Sequence, residues 1–271
     1  MAFDPEAVRA FEHARWQQAA AAYADTFAGA TGPFVEPLLD AAGVTETTML
    51  LDLACGPGFV SSRALARGAT ARGLDFSSAM LAVARAFRPS IQFDEGDAES
   101  LPYEDSRFDA TVSNFGIHHM PRPLRALQEA HRVLRAGGGA AFSFWAAPAE
   151  NIAWKLVLDA VQRHGDRDAA RAPAPGGGFN TTAQCVDALR QAGFVDSATR
   201  LVRAVWRHAD AAGLLAALRA GTARMAAMLE AQRPEALRAI VADIASEAEQ
   251  YRDAHGLAVP VAAVIASGRK G

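Results

Sequence analysis

Lysine is almost missing from this chain. Only Lys155 and Lys270 occur, so Schiff-base chemistry has few candidates. Cysteine is equally scarce: Cys55 and Cys185 stand far apart and fit neither a disulfide framework nor a metal-ligand spacing. No apolar run approaches the length of a membrane span. No basic block is present either; the arginines are scattered and the net charge is −3, which argues against nucleic acid as a partner. Asp4, Glu6, Arg9 and Glu12 interrupt the first residues, so they do not read as a secretory signal, and the cytoplasm is the expected compartment. The histidines His118 and His119 are adjacent rather than four apart, and no acidic cluster is spaced for magnesium, so no metal site is expected.

What the chain has is an ordinary globular composition, 51% hydrophobic and 21% charged over 271 residues, enough for one large α/β domain or two small ones. From Met49 to Trp145 short apolar runs alternate with helical patterns. Strands are expected at Met49–Ala54, Ala71–Asp75, Ile91–Asp94, Phe108–Asn114 and Ala140–Trp145, with helices at Phe59–Arg67, Ser77–Phe87 and Pro123–Arg135 between them. That alternation implies a parallel sheet covered on both faces. Outside it, Phe3–Ala28 reads as one or two amphipathic helices, and Ala146–Asn180 as an insertion with a helix at Ile152–Arg163 and the loop Ala172–Gly178. Thr181–Ala192 is an expected helix, Phe194–Val205 an extended segment, Ala211–Gln232 and Pro234–His255 helical segments, and Leu257–Ser267 a closing strand. There is no internal repeat.

The chemistry concentrates at strand ends. Leu50-Leu-Asp-Leu-Ala-Cys-Gly-Pro-Gly58 is an apolar strand entering a glycine turn before a helix. A glycine there lets backbone approach a ligand, and the helix start offers free N–H groups. Gly56 and Gly58 match the first two glycines of a dinucleotide fingerprint, but Ser61 holds the third position. Asp75 ends the second strand about 20 residues on, placed to accept both hydroxyls of a ribose, though a surface acid or helix cap fits as well. Asp97 follows the third strand, where it could accept from an adenine amino group; Asp94, Glu95 and Glu99 nearby read as solvated charges.

Five segments in order, Leu51–Gly58, Gly73–Leu81, Gly96–Ala98, Phe108–Asn114 and Arg132–Gly138, resemble the class I S-adenosylmethionine-dependent methyltransferases of the quinone-biosynthesis (UbiE-like), type 11 kind. The resemblance spans Leu50 to Trp145, and it is specific as an ordered set although no single motif is. It implies a Rossmann-like, seven-stranded, mostly parallel sheet in order 3-2-1-4-5-7-6, with Leu257–Ser267 as the antiparallel strand. It also implies one methyltransferase domain, with its core at about 36–146, 181–206 and 256–271 and helical cover at about 1–35, 147–180 and 208–255. S-adenosylmethionine is the implied cofactor and a small molecule the implied partner. Ala54, Gly56 and Gly58 would lie beneath the methionine part, Asp75 would hold the ribose diol with Phe76 against the adenine, and Met80 would be a further cofactor contact. Asp97 and Ala98 would read the adenine edge, and Asn114 would lie beside the methionine amino group. Ala54 stands where many relatives carry glycine, and Ala136 where proline often precedes the paired glycines.

The sulfonium donor is already activated, so such an enzyme mainly aligns nucleophile, methyl and sulfur. His118 or His119, directly after the fourth strand, is the candidate base; the plainer reading is that the pair caps the following helix or positions the loop. Trp16 and Tyr23, seven apart on one helical face, either cover the cofactor or pack the helix on the core. Trp145, at the end of the fifth strand, either lines the substrate pocket or packs in the core, and Met225 and Met228 read as core. Two other classes stay open: a nicotinamide-dependent oxidoreductase, disfavoured by Ser61 and Asp97, and a non-catalytic S-adenosylmethionine-binding protein. The fourth strand ends Ser113-Asn-Phe-Gly116, which lacks the Pro-Pro-aromatic set of amino-methylating DNA enzymes.

Overall fold

The computed structural model describes residues 3–175, 179 and 181–271. Gly176, Gly177, Gly178 and Asn180, part of the expected loop and insertion, lie outside the described residues. The chain enters through helix α1 (Pro5–Thr26), with Pro5 in its first turn and the Asp4 carboxylate accepting from the N–H groups of Glu6 and Ala7. Short α2 (Ala28–Thr31) and α3 (Val35–Ala41) lead to strand β1 (Met49–Leu53). Then come α4 (Phe59–Ala66), β2 (Thr70–Asp75), α5 (Ser78–Phe87), β3 (Gln92–Glu95), β4 (Phe108–Asn114), α6 (Pro123–Val133) and β5 (Leu134–Trp145). The rest comprises α7 (Ile152–His164), α8 (Thr182–Gln191), β6 (Phe194–His208), α9 (Ala211–Gly221), α10 (Arg224–Glu230), α11 (Pro234–Ala248), β7 (Arg252–Asp253) and β8 (Gly256–Lys270).

The sheet order is β3-β2-β1-β4-β5-β8-β6, with two-residue β7 paired beside β8. Strands β1 to β5 pair in parallel, and β8 is antiparallel to both β5 and β6. This is the expected Rossmann-like order, with β8 as the closing strand. Two helical expectations change. The run Ala211–Gln232 divides into α9 and α10, with Thr222 extended between them and its Oγ1 accepting from the Ala226 N–H. Helix α11 stops at Ala248, seven residues before His255, because the chain turns through Glu249–Tyr251 into β7.

Alternation along β1 explains how both faces are covered. Leu50 packs with Leu38 and Leu39 of α3 and Ala64 of α4, while Leu51 and Leu53 pack toward Leu127 and Ala130 of α6. A third cluster joins Phe27 and Phe34 to α7, α9, α10 and α11 over the far end of β6 and β8. Met225 and Met228 belong to it, as expected for core residues. The cover is therefore a packed layer, with Trp145 stacked on Phe115 at 3.9 Å inside it.

Candidate active site

In an open α/β sheet, ligands bind outside the carboxyl ends of the strands where the connections change direction. Here that point lies between β1 and β4, and the ends of these strands are unusually close. A Cβ on Gly116 would fall 2.5 Å from the Ala54 Cβ and 2.6 Å from the Ser113 Oγ. Ala54 and Phe115 flank the junction in left-handed backbone, φ 51° and 60°, a conformation that costs a non-glycine residue about 1–2 kcal/mol. Above it opens a cleft.

Of the expected cofactor residues, Tyr23, Ala54, Gly56, Asp75, Phe76, Met80, Asp97, Ala98 and Asn114 all line this cleft. Gly58 does not. It sits in left-handed backbone at φ 79°, where an added Cβ would lie 2.7 Å from the Phe93 Cζ, so it lets the turn before α4 pass close to the Phe93 ring of β3. His119 lines the cleft, whereas His118 turns away toward Phe144, and its buried Nδ1 has no hydrogen-bond partner. Burial first, then the proximity of His119 and Arg224, holds His118 well below the ordinary histidine range.

The β2 end is held by backbone. The Gly56 N–H donates to Asp75 Oδ2 at 2.8 Å and the Ser77 N–H donates to Asp75 Oδ1 at 2.9 Å. Burial nevertheless pushes this carboxyl up to about 6, against those bonds. Asn114 is fixed from both sides: its Nδ2 donates to the Thr31 carbonyl at 3.2 Å, and Ser143 Oγ donates to its Oδ1 at 2.7 Å. At the β3 end, Asp97 Oδ1 accepts from the Glu99 N–H at 2.9 Å, and Oδ2 pairs with Arg9 from α1.

Several residues of the site carried no signal in the sequence. Asp52 is buried in the cleft wall; Ser61 donates to its Oδ2 through both N–H (3.0 Å) and Oγ (2.7 Å), while Oδ1 has no partner. Burial pushes Asp52 up to about 7. Ser61, which looked like a missing glycine, is thus a carboxylate ligand. Glu99, expected to be solvated, is buried and accepts from the Arg122 N–H at 2.6 Å. Tyr103 and Arg72 hold Asp94. On α1, Glu12 is 1% exposed and stands four residues before Trp16, whose Nε1 donates to it at 3.0 Å. A carboxylate on the aromatic face of an Ala-rich helix was the available clue.

Among the described residues, no cluster of His, Cys, Asp and Glu could hold a metal, and no helix is long and apolar enough to cross a membrane.

Residues 51–142 match the family model described as a methyltransferase domain. The chain is 40% identical over 101 residues to the demethylmenaquinone methyltransferase of Renibacterium salmoninarum, covering 37% of this chain and 43% of that one. It is 36% identical over 126 residues to the demethylmenaquinone methyltransferase of Paenarthrobacter aurescens, covering 46% and 50%. The chain thus spans half or less of the length of these curated relatives. In fold it is similar to a Haemonchus contortus phosphoethanolamine N-methyltransferase solved with phosphomonomethylethanolamine and S-adenosylhomocysteine. The TM-score is 0.53 at 18% identity, over 88% of this chain and 53% of that one. The matched segment runs from β1 into β5 and carries the strand ends at the β1–β4 switch point, and in fold and segment the chain is similar to class I S-adenosylmethionine-dependent methyltransferases. Over that segment its sequence likeness runs to demethylmenaquinone methyltransferases.

Proposed function

We propose that the chain transfers the methyl group of S-adenosylmethionine to a small organic acceptor bound in the cleft, and that all of it serves one domain, the parallel core with its helical cover. The observation that carries this reading is the convergence of Asp75, Asp97 and the Ala54–Gly56 turn on one cleft at the β1–β4 switch point. The cleft suits the cofactor chemically. Two buried carboxylates, Asp75 and Asp52, face it; Asp52 Oδ1 is a buried acceptor without a donor, fitting a ligand that brings an ammonium and a ribose diol.

In this reading Asp75 accepts from the ribose hydroxyls, Phe76 and Met80 flank the adenine, and Asp97 and Ala98 meet its edge. Asn114, Ala54 and Gly56 hold the methionine end, and Tyr23 covers it from α1. The bound cofactor supplies a methyl already activated on a sulfonium. The protein's own task is alignment and exclusion of water, which the layer of α1 and the C-terminal helices performs. In this reading His119, which lines the cleft, takes a proton from the acceptor, and its position supports that role better than that of His118, which turns toward Phe144. The names of the curated relatives and the aromatic wall of Trp16, Tyr23 and Phe115 favour a quinol-type acceptor. The cytoplasm is its proposed compartment.

Titration calorimetry with S-adenosylhomocysteine and with NAD tests the reading. Saturable binding of S-adenosylhomocysteine and none of NAD is expected; the reverse would make the chain an oxidoreductase.

A further inference from the structure

Glu12 is the most deeply placed charge of α1, and three elements converge on it. Oε2 accepts from Trp16 Nε1 at 3.0 Å and lies 3.1 Å from His119 Nδ1. Oε1 lies 2.8 Å from an Arg224 guanidinium nitrogen of α10, an ion contact without the angle of a hydrogen bond. Burial raises this carboxyl, but His119 and Arg224 outweigh it, and the net direction is below the ordinary carboxylate range. An ionised carboxylate can only accept hydrogen bonds. The His119 nitrogen facing it must therefore carry the proton, because two opposed lone pairs in a buried site would repel. With Nδ1 occupied, the opposite ring nitrogen is left for the cleft, and no described protein group bonds His119 Nε2.

We propose that Glu12 is a positioning residue that locks His119 in the tautomer protonated on Nδ1, so that Nε2 faces the cleft as proton acceptor for a hydroxyl-bearing methyl acceptor such as a phenol or hydroquinone. This rests on the methyltransferase reading above. The acceptor O–H proton passes to Nε2. The oxygen, or the ring carbon conjugated with it, bonds to the methyl carbon as the S–CH3 bond breaks. That electron pair stays on sulfur, leaving the neutral thioether. In the carbon case the ring C–H proton then leaves to solvent and the oxygen regains a proton, which restores the aromatic ring. The imidazolium formed is flanked by the Glu12 carboxylate, by the Arg224 guanidinium and by half-buried His118, whose ring centre is 4.3 Å away. Glu12 offsets the charge that Arg224 opposes. Since Glu12 and Trp16 ride on α1 and Arg224 on α10, the base is correctly oriented only while the cover is seated.

The test is nitrogen-15 NMR of the full chain labelled on histidine, above neutral pH, with His119→Asn identifying the signal. The wild type should show the Nδ1-protonated pattern. Glu12→Gln, which still offers an acceptor oxygen, should keep it, and Glu12→Leu, which fills the volume without an acceptor, should move the proton to Nε2. A wild-type ring protonated on Nε2 overturns the proposal, as does an unchanged tautomer in Glu12→Leu; should that variant not fold, the wild-type spectrum decides alone. A kinetic arm uses a series of phenols and naphthohydroquinones of graded acidity. His119→Asn and Glu12→Leu should lower kcat about 100-fold with KM little changed, as loss of a general base does. The deficit should shrink for acceptors already ionised; a deficit independent of acceptor acidity would reduce Glu12 to a structural staple. Failure of the wild type to bind S-adenosylhomocysteine would end the underlying reading, whatever the tautomer.

Discussion

Asp52 and Asp75 are nearly unexposed carboxylates that the fold holds close to their neutral forms, at about 7 and about 6. Their sign is opposite to that of a salt-bridged acid. Between the ordinary carboxylate range and these raised values each of the two binds more proton in the folded protein than in the unfolded chain, so their contribution to stability is greatest in acid and falls as pH rises toward 7, opposite to that of lowered acids such as Glu12 and Asp94. Asp52→Asn keeps an oxygen for the two Ser61 donors and removes the charge. Urea unfolding should show it about 1–3 kcal/mol more stable than the wild type at pH 8, with the difference vanishing near pH 4. For the cofactor the dependence runs the other way, since its donors favour the ionised acids. Affinity for S-adenosylhomocysteine should rise between pH 5.5 and 8, measured by calorimetry. Asp75→Ala should weaken that affinity strongly, each charge-assisted bond lost costing roughly 1.5–3 kcal/mol. Asp97→Ala should weaken it less, because adenine also gains from apolar contact. Unchanged affinity in Asp75→Ala would move the ribose elsewhere.

At the scale of elements, α1 is the strap over the site. Gln17 Oε1 accepts from Ser77 Oγ and the Ala79 N–H, each at 2.7 Å, tying α1 to the start of α5. Arg9 reaches Asp97 and Glu99 at the β3 end, and Arg15 pairs with Glu230 of α10 at 2.7 Å. If this strap seats over the cofactor, S-adenosylhomocysteine should slow amide exchange in Phe11–Phe27 and in Ala211–Met228. Protection confined to Ala54–Gly58, Asp75 and Asp97 would put the cover outside the binding event. At the other side of the cleft, Gly58 lets the turn before α4 pass close to the Phe93 ring of β3. Gly58→Ala meets both the left-handed φ and Phe93, and should cost about 1–3 kcal/mol in urea unfolding without altering the lining of the cleft.

Over the whole molecule, β8 is the strand on which the architecture depends. It runs antiparallel between β5 and β6 and carries Val261, Ala263 and Leu257 into the cluster under the cover and Val264 and Ala266 into the α6–α8 face. Removing 256–271 strips the ladder from both neighbours and uncovers both clusters. The truncated chain should lose cooperative thermal unfolding and bind a hydrophobic dye, as an unlocked core does.

The local pattern of residues was enough for the alternating parallel core, which rests on short-range signals: apolar strands, a glycine turn, an acid at each strand end. The strand order and the residues expected around the cofactor were implied by the family resemblance. Helix ends such as Ala248 and the break at Thr222 were set by packing against β8 and α1, which periodicity cannot register. The same holds for the other half of the site. Arg9, Glu12 and Arg224 are ordinary surface charges in an Ala-rich sequence. Only the seating of α1 against α10 and the loop after β4 buries Glu12 and brings His119 Nδ1 to it, and so decides which of two adjacent histidines faces the cleft. A partner 107 residues away in the chain leaves no trace in local sequence, because its energy exists only once desolvation and pairing occur together.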